Sequence, residues 1–290
     1  MKPAAFAYAT PTTVEEALDV LRADPDNTTV LAGGQSLVPM LNLRMAAPDV
    51  VLDLNGIGEL ARVDPGNGVM RIGAMVRQRA LETDERIARR LPLMTEAATH
   101  IAHVPIRTRG TLGGSLAHAE PSAELPATVA ALGGRMVLRG AGGERSLSAQ
   151  DFFVGPLTTA REPDELLVAV EVEAPPAGTG WAVVEIARTH GAIALAGVAA
   201  LVRLGADGRI ERARAALCGV GSVPYIATWL NDAVAGEEPG AELFERVARR
   251  VSEELDPYDD AHASATYRRR VAGVITARAL ATAAERGRAT

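Results

Sequence analysis

The chain has a single cysteine, Cys218, among its 290 residues. One thiol cannot form a disulfide within the chain, nor can it supply the several cysteine ligands that an iron–sulfur cluster normally takes. Cys218 lies in an apolar run typical of a buried strand, which favours a structural thiol over a reactive one. The five histidines lack the HExxH spacing of zinc sites, and no Ser–His–Asp or Cys–His pattern stands out. The sequence therefore predicts neither a metal site nor a catalytic side chain.

Aromatic residues are also scarce, at 3% of the chain, and the formal net charge is −6. Few aromatic platforms for stacking bases and an excess of negative charge argue against nucleic-acid binding. No apolar run approaches the roughly 20 residues needed to cross a bilayer. The N-terminus carries Lys2 without the long apolar segment of a secretory signal. We therefore expect a protein with no membrane span, located in the cytoplasm.

Hydrophobic residues, by contrast, make up 48% of the chain, which is ample for a sizeable core. A length of 290 residues suggests two modest domains, or three small ones, rather than one. The clearest boundary is the run Pro175–Gly180, which is rich in proline and glycine. We expect a first domain over residues 1–177, with lobes at about 1–55 and 56–177, and a second domain over residues 178–290.

Hydrophobic patterning and turn residues predict an α+β fold. Residues 1–55 alternate between strands and helices, which indicates a small βαβ lobe with parallel strands. The second lobe combines short strands with a helical stretch, Val76–Ala102, that Pro92 interrupts. After the linker, three strands, two of them joined by a hairpin turn at Asp207–Gly208, predict a three-stranded antiparallel sheet. A helical bundle follows it, beginning with a helix over Pro224–Ala235.

Two similar segments stand out, Ala32–Ser36 (AGGQS) and Thr111–Ser115 (TLGGS). Each places two glycines beside polar residues, and glycine permits a positive φ and a close backbone approach that side chains forbid. We expect a positive φ at Gly114 in particular. Backbone N–H groups in such turns form anion sites, so two of them can grip a pyrophosphate from two sides. Ordinary turns are the alternative for either segment alone, but their matching chemistry favours a joint site.

The segment Ile106–Ala117 and its continuation Ala119–Pro126 (AEPSAELP) resemble the second flavin motif of a known family. Ala32–Ser36 resembles the first motif. The family is the FAD-binding medium subunit of molybdenum hydroxylases, of the carbon monoxide dehydrogenase and xanthine dehydrogenase type. The resemblance continues through Asp151–Phe153 to Ala265–Arg269 and thus covers nearly the whole chain.

This resemblance implies a PCMH-like, two-lobed FAD-binding domain, whose second lobe has a mixed sheet, followed by the C-terminal α+β domain. It implies an oxidoreductase subunit that binds FAD and passes electrons from partner iron–sulfur clusters to an external acceptor. The clusters and the molybdenum cofactor are expected on partner chains, which agrees with the single cysteine here. The expected assembly is a dimer of heterotrimers, each with a small iron–sulfur subunit and a large molybdenum subunit.

The resemblance also assigns cofactor-binding residues. Glu124 stands where the family usually has Asp, and a carboxylate suits a ribose hydroxyl or an adenine amine, both of them donors; a plain surface charge is the alternative. Leu167 either lines the adenine pocket or packs in the core. The predicted FAD contacts are Ala32, Gly33, Gly34, Gln35, Ser36, Thr111, Gly113, Gly114, Ser115, Glu124, Leu167 and Ile193.

The segment Glu185–Ala194 resembles a family segment that usually carries Asp at position 192 and an aromatic residue at 193. Here these positions hold Ala192 and Ile193. Ile193 still fits an apolar cover for the isoalloxazine ring. The missing carboxylate removes a negative charge near the flavin, which would make the flavin easier to reduce. Ile101 and His103 either approach the ring edge or serve as core and capping residues.

Two rival functions stay open on the sequence. One is a free-standing flavoprotein oxidoreductase, which would turn over a substrate without partner chains. The other is a flavin-free binding or assembly module with the same fold, which would be colourless when fully folded. Neighbouring genes for a cysteine-rich small chain and a very large chain would favour the electron-transfer subunit over both.

Overall fold

Three strands and two helices form the first lobe of the computed structural model, which describes residues 2–289. In chain order they are β1 (Ala7–Ala9), α1 (Val14–Ala23), β2 (Thr28–Leu31), α2 (Leu37–Asn42) and β3 (Val50–Asp53). The sheet order is β1–β3–β2 with both pairings parallel, which confirms the parallel lobe predicted from the sequence. Leu31 pairs with Asp53 where both strands end. The first glycine segment therefore starts at the carboxyl edge of this sheet.

The second lobe contains a five-stranded sheet and most of the short helices. Pro92 begins a helix rather than interrupting one, because a proline fits the first helical turn, where its missing N–H is not needed.

The elements of the second lobe in chain order are β4 (Val63–Asp64), β5 (Val69–Gly73), α3 (Gln78–Thr83), α4 (Glu85–Arg90), α5 (Pro92–His100), α6 (Val104–Arg107), α7 (Leu112–His118), α8 (Glu124–Leu132), β6 (Arg135–Gly140), β7 (Gly143–Ser148), α9 (Ala149–Phe152), β8 (Phe153–Gly155), β9 (Thr158–Thr159) and β10 (Leu166–Glu173). The sheet order is β4–β5–β10–β6–β7. All its pairings are antiparallel, where a mixed sheet was expected.

The third lobe is an antiparallel sheet followed by helices, and it confirms the predicted α+β arrangement. Its elements are β11 (Thr179–Ala187), β12 (Ala194–Leu204), β13 (Ile210–Cys218), β14 (Tyr225–Ile226), α10 (Leu230–Val234), α11 (Ala241–Glu254) and α12 (Ala265–Arg288). The sheet has four strands in the order β11–β12–β13–β14. The fourth strand replaces the start of the helix predicted over Pro224–Ala235, because Tyr225 and Ile226 pair with β13. Gly208, with φ +80°, makes the expected turn between β12 and β13.

One hydrophobic core joins the second and third lobes. It includes Leu93 of α5, Val129 of α8, Leu201 of β12 and Cys218 of β13. Helix α8 packs against both β10 and β12, so the C-terminal sheet forms a wall beside the second lobe. Cys218 is 3% exposed, as expected of a structural thiol.

The predicted domain boundary at residue 177 falls between β10 and β11 and stays a prediction. Among residues 2–289, no helix is both long enough and apolar enough for a bilayer crossing. The same residues contain no group of three or more His, Cys, Asp or Glu side chains that could hold a metal ion.

Candidate functional site

The first glycine segment leaves β2 and turns into α2. Gly34 has a φ of +73°, a left-handed conformation that residues with a Cβ rarely adopt. The Gln35 side chain folds back, and its Nε2 donates to the Gly33 carbonyl at 3.1 Å. Within the described chain, the backbone N–H groups of residues 33–36 have no intramolecular acceptor. Consecutive free N–H groups around a positive-φ glycine form the kind of concavity that binds an anion.

The second glycine segment forms the first turn of α7. Thr111 is the N-cap, and its Oγ1 accepts a hydrogen bond from the Gly114 N–H at 3.0 Å. The predicted positive φ at Gly114 is wrong, because the capped helix gives this residue ordinary helical geometry; Gly34 alone among the four glycines has a positive φ. Gly113 and Ser115 also donate their N–H groups inside the protein. This segment therefore offers a ligand the Ser115 hydroxyl rather than a second row of N–H groups.

The two glycine segments touch each other. A Cβ on Gly33 would lie 2.4 Å from the Arg109 carbonyl oxygen and 2.7 Å from the Gly110 Cα. A Cβ on Gly114 would lie 3.3 Å from the Ala32 Cβ. The contacts at Gly33 are too short for any side chain, and they involve backbone, which cannot swing aside as a flexible side chain can. Position 33 therefore needs glycine for the close approach of the segments.

A cavity of about 740 Å³ opens where the two segments meet. This volume falls within the roughly 300–1,000 Å³ typical of ligand and cofactor pockets. The structure brings every predicted cofactor-binding residue to the cavity wall, although they come from all three lobes: Ala32, Gly33, Gly34, Gln35, Ser36, Thr111, Gly113, Gly114, Ser115, Glu124, Leu167 and Ile193. Their contact with a cofactor stays a prediction.

The cavity wall also holds polar residues that the sequence did not single out as contacts, among them Gln78 and Arg161. Gln78 is 7% exposed, and its Oε1 has no hydrogen-bond partner within residues 2–289. That oxygen is itself buried and packs against Gly110, where a Cβ would lie 2.3 Å from it, so it does not face the open cavity. Arg161 Nη1 donates to the carbonyls of Glu162 and Glu165, each at 2.8 Å, and burial lowers the pKa of this guanidinium. Neither residue lies in a recognisable motif, so only the fold places them here.

Glu124 begins α8 at the cavity wall, and a second glutamate lies near it. Burial raises the pKa of Glu124 to about 7. Burial and then the charge of Glu124 raise the pKa of Glu185 on β11 to about 8. Gly197 separates Glu185 from Cys218 in the sheet register, and burial together with both carboxylates raises the pKa of that thiol. The two carboxyl groups therefore lose their protons near neutral pH, Glu124 first.

Of the four residues predicted to lie near the flavin or adenine ring, three line the cavity and one does not. Ile193 is 62% exposed although it lines the cavity, as suits an apolar cover over a ligand. Leu167 both lines the cavity and belongs to the hydrophobic core, and its contact with adenine stays a prediction. Ile101 also lines the cavity. His103 does not, and its ring instead lies against His190 with centroids 5.9 Å apart.

Two family matches cover most of the chain. Residues 4–175 match the family described as "FAD binding domain in molybdopterin dehydrogenase". Residues 181–283 match the family described as "CO dehydrogenase flavoprotein C-terminal domain". The first match contains both glycine segments and Glu124, and the second contains Glu185 and Ile193.

The chain is also similar over nearly its full length to individual proteins. It is 43% identical over 288 residues to the caffeine dehydrogenase subunit beta of Pseudomonas sp. (strain CBB1), covering 99% of this chain and 97% of that protein. A chain of carbon monoxide dehydrogenase from Hydrogenophaga pseudoflava has a similar structure, with a TM-score of 0.96, 35% identity and 99% of each chain covered. A chain of quinoline 2-oxidoreductase from Pseudomonas putida 86 matches with a TM-score of 0.93 and 37% identity, covering 98% of this chain and 99% of that one.

Proposed function

Because the chain belongs to the FAD-binding medium subunits of molybdenum hydroxylases, we propose that its 740 Å³ cavity holds the FAD through the residues predicted from the sequence. Bound FAD lets this oxidoreductase subunit accept electrons from iron–sulfur clusters on a partner chain and pass them to an external acceptor. The observation that carries the placement is the row of free N–H groups at residues 33–36. Backbone donors of this kind are what a pyrophosphate requires.

Each part of the cavity suits one part of the cofactor. The N–H groups of residues 33–36 and the Ser115 hydroxyl would donate to the pyrophosphate oxygens. Glu124 would accept a hydrogen bond from a ribose hydroxyl or from the adenine amine. The exposed Ile193 would cover the isoalloxazine ring. These side chains bind and orient the cofactor, and electron transfer demands no general acid or base from this chain.

The proposed assembly is a dimer of heterotrimers in the cytoplasm. The partners are a small subunit that carries iron–sulfur clusters and a large subunit that carries the molybdenum cofactor. The single cysteine of this chain supports this division, because a cluster needs several cysteine ligands. We place the boundary between the FAD-binding domain and the C-terminal domain at residue 177, between β10 and β11.

Purification of the native complex tests this function. We expect the chain to elute with two partner chains, and flavin, iron and molybdenum to elute in the same fractions. Under anaerobic conditions, a substrate of the complex should bleach the flavin absorbance of the complex but leave that of the isolated FAD-loaded chain unchanged. Caffeine, quinoline and carbon monoxide, the compounds after which the relatives are named, form the first test panel. Reduction of the isolated chain by a substrate would contradict the proposal.

Replacing Ala192 by aspartate is expected to lower the flavin midpoint potential. Ala192 lines the cavity next to Ile193, and a carboxylate there repels the negative charge that reduction adds. We expect a decrease of about 30 mV, which for a two-electron potential corresponds to about 1.4 kcal/mol. Dye-coupled titration of both proteins at one pH measures the shift. Ala192→Asn is the control, since it adds similar volume without charge. Equal potentials for all three proteins would show that this segment does not lie beside the ring.

A further inference from the structure

A link of polar side chains joins the two glycine segments, which belong to different lobes. On the first lobe, Asn55 follows β3, and its Nδ2 donates to the Ala32 carbonyl at 3.0 Å. On the second lobe, Arg77 precedes α3, and its Nη2 donates to Asn55 Oδ1 at 2.6 Å. The second terminal nitrogen of the guanidinium, Nη1, donates to the Arg109 carbonyl. The link therefore runs from the backbone of one segment to the backbone just before the other.

Both ends of this link lie where the segments touch. The Arg109 oxygen that accepts from Arg77 is the atom that would be 2.4 Å from a Cβ on Gly33. The Ala32 carbonyl that accepts from Asn55 belongs to the residue just before Gly33. The positions of these two carbonyls set the separation of the glycine segments. A small change in that separation would alter the cavity between the segments.

The link is anchored in the first lobe and does not itself reach the cavity. Asp53, at the end of β3, accepts from the Asn55 backbone N–H at 2.9 Å and from the hydroxyl of Tyr8 on β1. Neither Asn55 nor Arg77 lines the cavity. A planar guanidinium can hold two acceptors in a fixed geometry, which a lysine ammonium on a flexible stem does not reproduce.

We propose that Asn55 and Arg77 are positioning residues that hold the two glycine segments at the separation required for FAD binding. This inference rests on the proposed function, because it takes the cavity to be the FAD site. The pair acts through the backbone of Ala32 and Arg109 and not by touching the cofactor. It thereby joins the N–H row of the first lobe to the Ser115 hydroxyl of the second.

Arg77→Met is expected to weaken FAD binding by the full-length chain about tenfold or more, because it removes both donors and keeps an apolar stem. Flavin fluorescence titration gives the dissociation constant, and thermal unfolding without FAD reports the fold. Arg77→Lys should stay close to Arg77→Met in affinity. Full rescue by lysine would show that Arg77 acts through its charge alone, and it would overturn the positioning role.

Asn55→Ala tests the other half of the link. Because the Asn55 side chain is exposed, we expect this variant to fold, and thermal unfolding without FAD checks that it does. It should also weaken FAD binding, and the double variant should be no weaker than the worse single variant, since both changes break the same link. Fully additive losses would overturn the proposal. The comparison of FAD affinity with thermal unfolding separates an effect on the geometry of the site from an effect on the stability of the fold. A general loss of stability would not make the two losses of FAD affinity non-additive.

An ion pair between the same two lobes supplies the matched control. Arg139 on β6 pairs with Glu15 on α1, and neither residue lines the cavity. Arg139→Met should leave FAD affinity unchanged while altering a link between the same two lobes. If the wild-type chain fails to bind FAD, the proposed function fails. If the wild type binds and Arg77→Met binds equally well, only the present inference fails.

Discussion

Replacing Gly114 by valine is expected to abolish FAD binding while leaving the fold largely intact. A Cβ at this position lies 2.8 Å from Thr111 Oγ1 and 3.3 Å from the Ala32 Cβ. The first contact displaces the hydroxyl that caps α7, and loss of such a cap costs about 1 kcal/mol. The valine methyl groups also enter the cavity wall and push the first glycine segment away. We expect affinity for FAD to fall at least about a hundredfold, equivalent to about 2.7 kcal/mol.

Fluorescence titration with FAD and thermal unfolding without it measure the two effects of Gly114→Val. Gly58→Val is the control, because a Cβ at Gly58 meets no atom within 4 Å and Gly58 does not line the cavity. The control should bind FAD as the wild type does. Wild-type affinity in the Gly114 variant would contradict the placement of the pyrophosphate between the glycine segments.

FAD affinity is expected to fall as the pH drops below about 7, by at most about tenfold for each further pH unit. Burial raises the pKa of Glu124 to about 7, and only its ionised form accepts hydrogen bonds with both oxygens. Protonation leaves one acceptor oxygen and turns the other into a donor, which suits neither a ribose hydroxyl nor the adenine amine as a hydrogen-bond donor. The raised pKa also means that protonation of Glu124 favours the folded state, so acid does not unfold the chain through this group. A weaker complex below pH 7 thus reports lost contacts and not lost structure.

Two variants identify the group behind this pH dependence. Glu124→Gln should bind FAD with an affinity that no longer changes through pH 7, because an amide does not titrate there. Glu185→Gln should keep the loss of affinity below pH 7, since Glu185, with a pKa of about 8, already carries its proton in that range. A pH dependence that survives in Glu124→Gln would show that another group controls binding and that Glu124 does not contact the cofactor.

Much of the site was predictable because its chemistry is local in the chain. Paired glycines beside polar residues marked both segments, and the structure places them against each other. The α+β class and the parallel first lobe followed from hydrophobic periodicity and turn residues. Glu124 and Ile193 were assigned through the family resemblance, and both line the same cavity.

The remaining features depend on tertiary contacts that no local pattern encodes. The positive φ was expected at Gly114, but the Thr111 cap makes that segment helical, and the positive φ lies at Gly34. The strand at Tyr225 forms in place of a predicted helix because β13 offers a free edge for pairing. The link between Asn55 and Arg77 joins residues that are 22 positions apart. No local sequence pattern at either residue predicts this contact.

Titration of the purified full-length chain with FAD tests the central claim most directly. The account predicts saturation near one FAD per chain, a yellow protein after removal of free flavin, and release of intact FAD by acid or heat, since neither glycine segment offers a histidine or cysteine tether. Flavin that stays attached to the denatured chain would contradict non-covalent binding. A folded chain that remains colourless after FAD addition would contradict the assignment of the cavity as the FAD site.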